Sequence, residues 1–113
     1  MIIIAFSDKT SKILPRIFCR RMRHCAPIIP VANGRLVMHQ FTSMGNVRRI
    51  NLTMRDIRVL RANGWKFVYV AQSAPASCDM QRAITCVDLS KRVLNIKDVR
   101  IQTPYALYKH LTQ

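Results

Sequence analysis

Thr85-Cys86-Val87-Asp88 is the stretch of this chain whose residue types and spacing most directly spell out a reaction. A threonine three residues ahead of an acid is a capping-box pattern, with Thr85 as the N-cap and Asp88 as its partner. It predicts a helix over 85–94 that carries Cys86 in its first turn. Backbone N–H groups left unpaired there, together with the positive helix end, lower a thiol pKa and can hold an oxyanion. Thr85 and Cys86 are therefore the candidate oxyanion positions at the helix start. Such a thiol becomes a working nucleophile when an imidazole serves as ion-pair partner and general acid/base. A second polar group is then needed to orient that imidazole. The competing reading is a helix running from Ser77 through Leu94, which leaves Cys86 in mid-helix as a small core residue.

Two of the three histidines lie in HCAPIIPVANGRLVMHQF, residues 24–41. His24 opens one apolar run and His39 lies near the end of the next. The runs, 24–31 and 35–42, read as a hairpin around Asn33-Gly34. Pro27 and Pro30 argue that the first strand is irregular or at an edge. The two histidines are either ordinary strand residues or face a nucleophile elsewhere in the chain. Cys25 follows His24 directly, so alternation sends the two side chains to opposite sheet faces and argues against a pair. His110 falls in the last helix and reads as solvated. Cys19 sits on the apolar side of its own segment and reads as core. The four cysteines (Cys19, Cys25, Cys78 and Cys86) form no CxxC pair and no zinc-like spacing. Reduced thiols are expected, although the even count leaves a disulfide open. Neither a metal nor a cofactor is called for.

The elements that must position these residues follow from periodicity. Residues 1–6, Met-Ile-Ile-Ile-Ala-Phe, read as a buried strand rather than a signal peptide. Ile13, Leu14, Ile17, Phe18 and Met22 mark an amphipathic helix over 11–22, starting near Pro15. Residues 47–53 form a short strand, Thr53 with Asp56 caps a helix over 54–62, and Asn63-Gly64 stops it. Residues 65–72 are the clearest strand, with Trp65, Phe67 and Tyr69 alternating along it as core aromatics rather than base-stacking platforms. Thr103-Pro104 announces a last helix. The 113 residues, half of them hydrophobic, make one α+β domain with an antiparallel sheet built from 24–31, 35–42, 47–52 and 65–71. No apolar run is long enough for a transmembrane segment, and a cytoplasmic setting is expected.

Charge supplies a second line of argument. Nineteen Lys and Arg against five Asp, with no Glu, give a net charge of +14. Ten basic residues fall between Asp8 and Asp56 with no acid among them. Lys12, Arg16, Arg20, Arg21, Arg23, Arg35, Arg48, Arg49 and Arg55 are the candidate patch for an anionic partner: nucleic acid, an acidic protein or an anionic lipid surface. With no Glu and scattered Asp, a carboxylate mechanism is unattractive.

The order of the pieces resembles the circularly permuted papain-like thiol hydrolases, which include the LRAT-like acyltransferases and the permuted branch of the NlpC-type hydrolases. The likeness rests on a strand that begins with His24, a glycine turn, a second strand ending Val-Met-His, and a later helix opening Thr-Cys. It covers residues 24–94. It implies a compact papain-like domain in which Cys86 is the nucleophile, His24 the base and His39 the orienting residue, acting on a peptide, amide, ester or thioester carbonyl. Two prolines in the His24 strand depart from the pattern, as does Thr85, where the LRAT-like group has Asn. Gln40 takes the orienting role if the register shifts by one. A compact, phage-like member would match the size and charge. The rival reading is a basic binding module, or a subunit of a virion-like assembly, on a catalytically silent fold of the same kind.

Overall fold

The structure, a computed structural model, describes residues 1–7, 24–41, 47–72 and 85–113. The helix expected over 11–22 lies outside the described residues, with Lys12, Arg16, Cys19, Arg20, Arg21 and Arg23. So do the loop at 42–46 and the segment 73–84 with Cys78.

Five strands form one antiparallel sheet: β1 (Ile2–Ser7), β2 (His24–Pro30), β3 (Leu36–Phe41), β4 (Val47–Leu52) and β5 (Lys66–Val70), in the order β4-β3-β2-β1-β5. The architecture is α+β, with helices α1 (Met54–Ala62), α2 (Cys86–Leu94) and α3 (Pro104–Thr112). Every residue of β1 is buried, as its unbroken apolar run demands of a strand covered on both faces. Side-chain alternation then sorts the core into two halves. Ile2, Ile4, Phe6 and Cys25 pack against Val87, Val93, Leu94 and Leu107 of α2 and α3. Ile3, Ala5, Ala26, Ile28, Leu36 and Met38 pack against Ile57 of α1 on the other side. The sheet is thus sandwiched, with the helix of the candidate nucleophile lying directly on it.

The two prolines do not put β2 at an edge. It lies in the sheet interior, between β1 and β3. The irregularity takes another form: pairing with β3 covers Ile28, Ile29 and Pro30, while pairing with β1 runs from His24 to Ile28. Pro27, which has no N–H to donate, falls outside the short ladder to β3. The turn that follows holds Asn33 at φ 64° and Gly34 at φ 70°. These left-handed angles suit the hairpin twist and are cheap only for such residues. Tyr69 departs from the core reading. It is exposed, and its hydroxyl accepts a hydrogen bond from Arg61 at 3.0 Å. Trp65 and Phe67 do pack on the α1 side.

Candidate active site

The helix reading that matters is settled at Thr85. Its backbone is extended (φ −138°, ψ 168°), and its hydroxyl accepts the Asp88 N–H at 3.0 Å, so α2 begins at Cys86. One unbroken helix from Ser77 through Leu94 is excluded at Thr85, and the thiol stands at the first helical position. Asp88 also pairs with Arg92 at 3.3 Å, one turn along. From Cys86 the helix carries Ser90, four residues on, toward the same sheet surface.

Cys25 and His24 both act on the Cys86 thiol: the Cys25 side chain most, then the His24 imidazole, then the Cys25 backbone. Together with the nearby His24 charge, and led by the Cys25 contact, they hold the thiol down at about 4 against the opposing effect of its burial. Cys25 is itself fully buried and receives a hydrogen bond from the Ser90 hydroxyl at 3.6 Å. Ser90 thus ties Cys25 to the same helix that carries Cys86.

His24 opens β2 at the end of the sheet, where one ring can meet groups belonging to both layers. Its cross-strand neighbour on β1 is Ser7. Its ring also stands edge-to-face with Trp65, with centroids 6.4 Å apart. Its Nε2 is buried without a hydrogen-bond partner.

His39 is buried too, and its Nδ1 likewise has no partner. Burial first, and then the Arg49 guanidinium directly across on β4, hold it below the ordinary imidazole range. Among the described residues no hydrogen bond joins His39 to His24. The register gives the reason. Ile28 pairs with Met38, so Gln40 falls on the same sheet face as Ala26 and His24, while His39 falls on the other.

Of the residues singled out from sequence, Cys86, His24 and Thr85 are brought together and His39 is not joined to them. Cys25 is the participant that sequence reasoning missed. Alternation does separate it from His24, but both side chains converge on a third residue. Arg35, Arg48, Arg49 and Arg55 are all exposed. A cleft of about 170 Å³ opens beside the start of α2, lined by Thr85, Val87, Asp88, Lys91, Ile101 and Gln102. Lys91 ties that wall together by donating to the carbonyls of Asp98 at 2.7 Å and Ile101 at 3.0 Å. Among the described residues, no group of three His, Cys, Asp or Glu side chains is arranged to hold a metal ion. No described helix is long and apolar enough to cross a membrane.

No family model matches this chain, and neither does a curated protein or a solved structure.

Proposed function

We propose that this protein is a cysteine-dependent hydrolase or acyltransferase of the permuted papain-like kind, acting on a peptide, amide, ester or thioester carbonyl in a cytoplasmic setting. The observation that carries this reading is Cys86 at the first position of a helix, with its thiol pKa lowered by Cys25 and His24. On this reading His24 takes the thiol proton from Cys86 as general base. The thiolate attacks the carbonyl carbon, and backbone N–H groups at the start of α2 receive the oxyanion. His24 then protonates the leaving group, and water or a second acceptor, deprotonated by the same imidazole, releases the acyl group from Cys86. The resemblance gives the orienting role to His39. The sheet register favours Gln40, which shares a face with His24, and we assign it the role.

A panel of p-nitrophenyl esters and thioesters tests the reaction. A burst of released nitrophenol or thiol, with the acyl mass mapped to Cys86 and abolished in His24→Ala, is the expected result. No acylation of Cys86 by any member would overturn the reading.

A second reading has its own support. The exposed face of α1 carries Arg55, Arg58 and Arg61 at successive turns, and the edge strand β4 exposes Arg48 and Arg49. On this reading the arginines bind nucleic acid and the thiol is silent. Binding to a generic duplex should then weaken steeply with salt, by a log–log slope of about −0.9 for each phosphate neutralised. No retention on nucleic acid at low salt removes it.

A further inference from the structure

Nothing in acyl transfer requires a second thiol beside the nucleophile, yet Cys25 packs in the same cluster as Cys86 and touches the helix that carries it. The two sulfurs differ in access. Cys25 has no exposed surface, whereas Cys86 is partly open to solvent. Cys25 is also held from behind by the Ser90 hydroxyl, on the same helix as Cys86 and one turn further along. Both sulfurs belong to one packed cluster between β2 and α2, and neither is engaged in a disulfide. Closing the pair requires side-chain rotation to bring the sulfurs to the ~2.05 Å of a disulfide.

We propose that Cys86 is a site of oxidation by hydroperoxides and that Cys25 is its resolving partner, so that the pair closes into a reversible intramolecular disulfide. In the first step the Cys86 sulfur attacks the terminal peroxide oxygen. The O–O bond breaks, and Cys86 is oxidised by two electrons to the sulfenic acid. The departing alkoxide or hydroxide takes the proton held on His24 and leaves as alcohol or water. In the second step the Cys25 sulfur attacks the Cys86 sulfur and the S–S bond forms. The S–OH bond breaks, and hydroxide leaves as water with the Cys25 thiol proton. Ser90 donates to Cys25 throughout and stabilises the charge that grows on its sulfur as the proton departs. A dithiol reverses the reaction by exchange. The outer thiol meets the oxidant, and the inner one prevents advance to the irreversible sulfinic acid. This inference shares Cys86 with the acyl-transfer reading but needs no acyl chemistry, so either stands if the other fails.

The test is to treat the reduced full-length protein with limiting hydrogen peroxide, block the remaining thiols, and map peptides without reduction. The expected product is a single linked pair of peptides joining Cys25 to Cys86, released by dithiothreitol. In Cys25→Ser, which keeps the side-chain volume close, the same treatment should leave Cys86 as sulfenic acid that dimedone captures, and excess peroxide should carry it to sulfinic acid. Wild-type protein in which Cys86 reaches sulfinic acid while Cys25 stays a free thiol would overturn the inference. So would a disulfide joining Cys86 to Cys19 or Cys78. Because the wild-type map alone decides the matter, a Cys25 variant that folds poorly does not protect the idea.

Discussion

Cys86 owes its lowered pKa to groups contributed from outside its own helix. Cys25 leads, His24 follows, and both favour the thiolate over the thiol. The sign of the pH dependence follows directly. With the folded thiol held at about 4, the thiolate persists through the mildly acidic range, where an ordinary thiol near 8.5 is almost wholly protonated. A low-pKa thiolate is also the weaker nucleophile, which erases its advantage at neutral pH. The discriminating condition is therefore acidic. At pH 5, iodoacetamide should label Cys86 roughly fifteen to forty-five times faster than an ordinary exposed thiol, after that discount. The rate should fall only as pH drops toward 4. Both His24→Ala and Cys25→Ala should raise the midpoint, the latter at least as much because its bond is the leading cause. Equal labelling of all four thiols at pH 5 would remove Cys86 as a nucleophile. Gln40→Ala should disturb the profile by freeing the His24 ring, whereas His39→Ala should leave it in place. The opposite pattern would restore the orienting role to His39.

The helix caps are the elements on which reactivity and stability can be separated. Thr53 and Asp56 close a full capping box on α1, with the Thr53 N–H donating to the carboxylate at 2.8 Å and the Asp56 N–H donating back at 3.3 Å. Thr85 supplies the corresponding cap on α2. Loss of either hydroxyl costs about 1 kcal/mol of stability. Thr53→Ala and Thr85→Ala should therefore shift the urea midpoint by similar amounts. Only Thr85→Ala should also slow Cys86 labelling at pH 5, because it loosens the first turn of α2, which holds Cys86 beside Cys25 and His24. If the two variants label alike, the helix start contributes nothing to the thiol. The hairpin turn gives a control remote from the site. Gly34 sits at φ 70° with open space around its Cα, so Gly34→Ala costs only backbone strain, of about 1 kcal/mol, and should leave labelling untouched.

For the whole molecule, the layered build makes the site depend on how firmly α2 is seated. Leu89 and Val93 are fully buried on the helix, and Leu107 anchors α3 beside them. Leu89→Ala leaves a cavity under the helix and should cost about 2–5 kcal/mol, read as a lower urea midpoint. Where that variant stays folded, its Cys86 should label more slowly at pH 5, since the sulfur, Cys25 and Ser90 meet only when α2 lies flat on β2. The net charge of +14 acts at this scale too. If the exposed arginines of α1 and β4 are the binding surface, replacing Arg55, Arg58 and Arg61 with Gln should flatten the salt dependence of nucleic-acid retention. The slope should fall by about 0.9 for each phosphate that is no longer neutralised. The esterase burst should not change.

Local chemistry is legible in the sequence, and convergence is not. Thr85 before Cys86, Thr53 before Asp56, Asn33-Gly34 and Thr103-Pro104 each announce their element because caps and turns are decided within about four residues. The alternation of β1 and β2 likewise sorts side chains to two faces without knowledge of the partner strand. What tertiary structure alone decided is where the strands lie and what gathers at their ends. Pro27 and Pro30 argue for an irregular or edge strand, but β2 is interior: Pro27 falls outside the ladder to β3, and Pro30 sits at its very end. The pairing of Ile28 with Met38 puts Gln40 rather than His39 on the face of His24, a one-residue matter of register that local pattern does not specify. Adjacency on one strand argues against pairing Cys25 with His24, because neighbouring side chains point apart. That rule holds for the pair, but it is silent about a third residue, Cys86, sixty-one positions away and delivered by another helix to the end of the same strand.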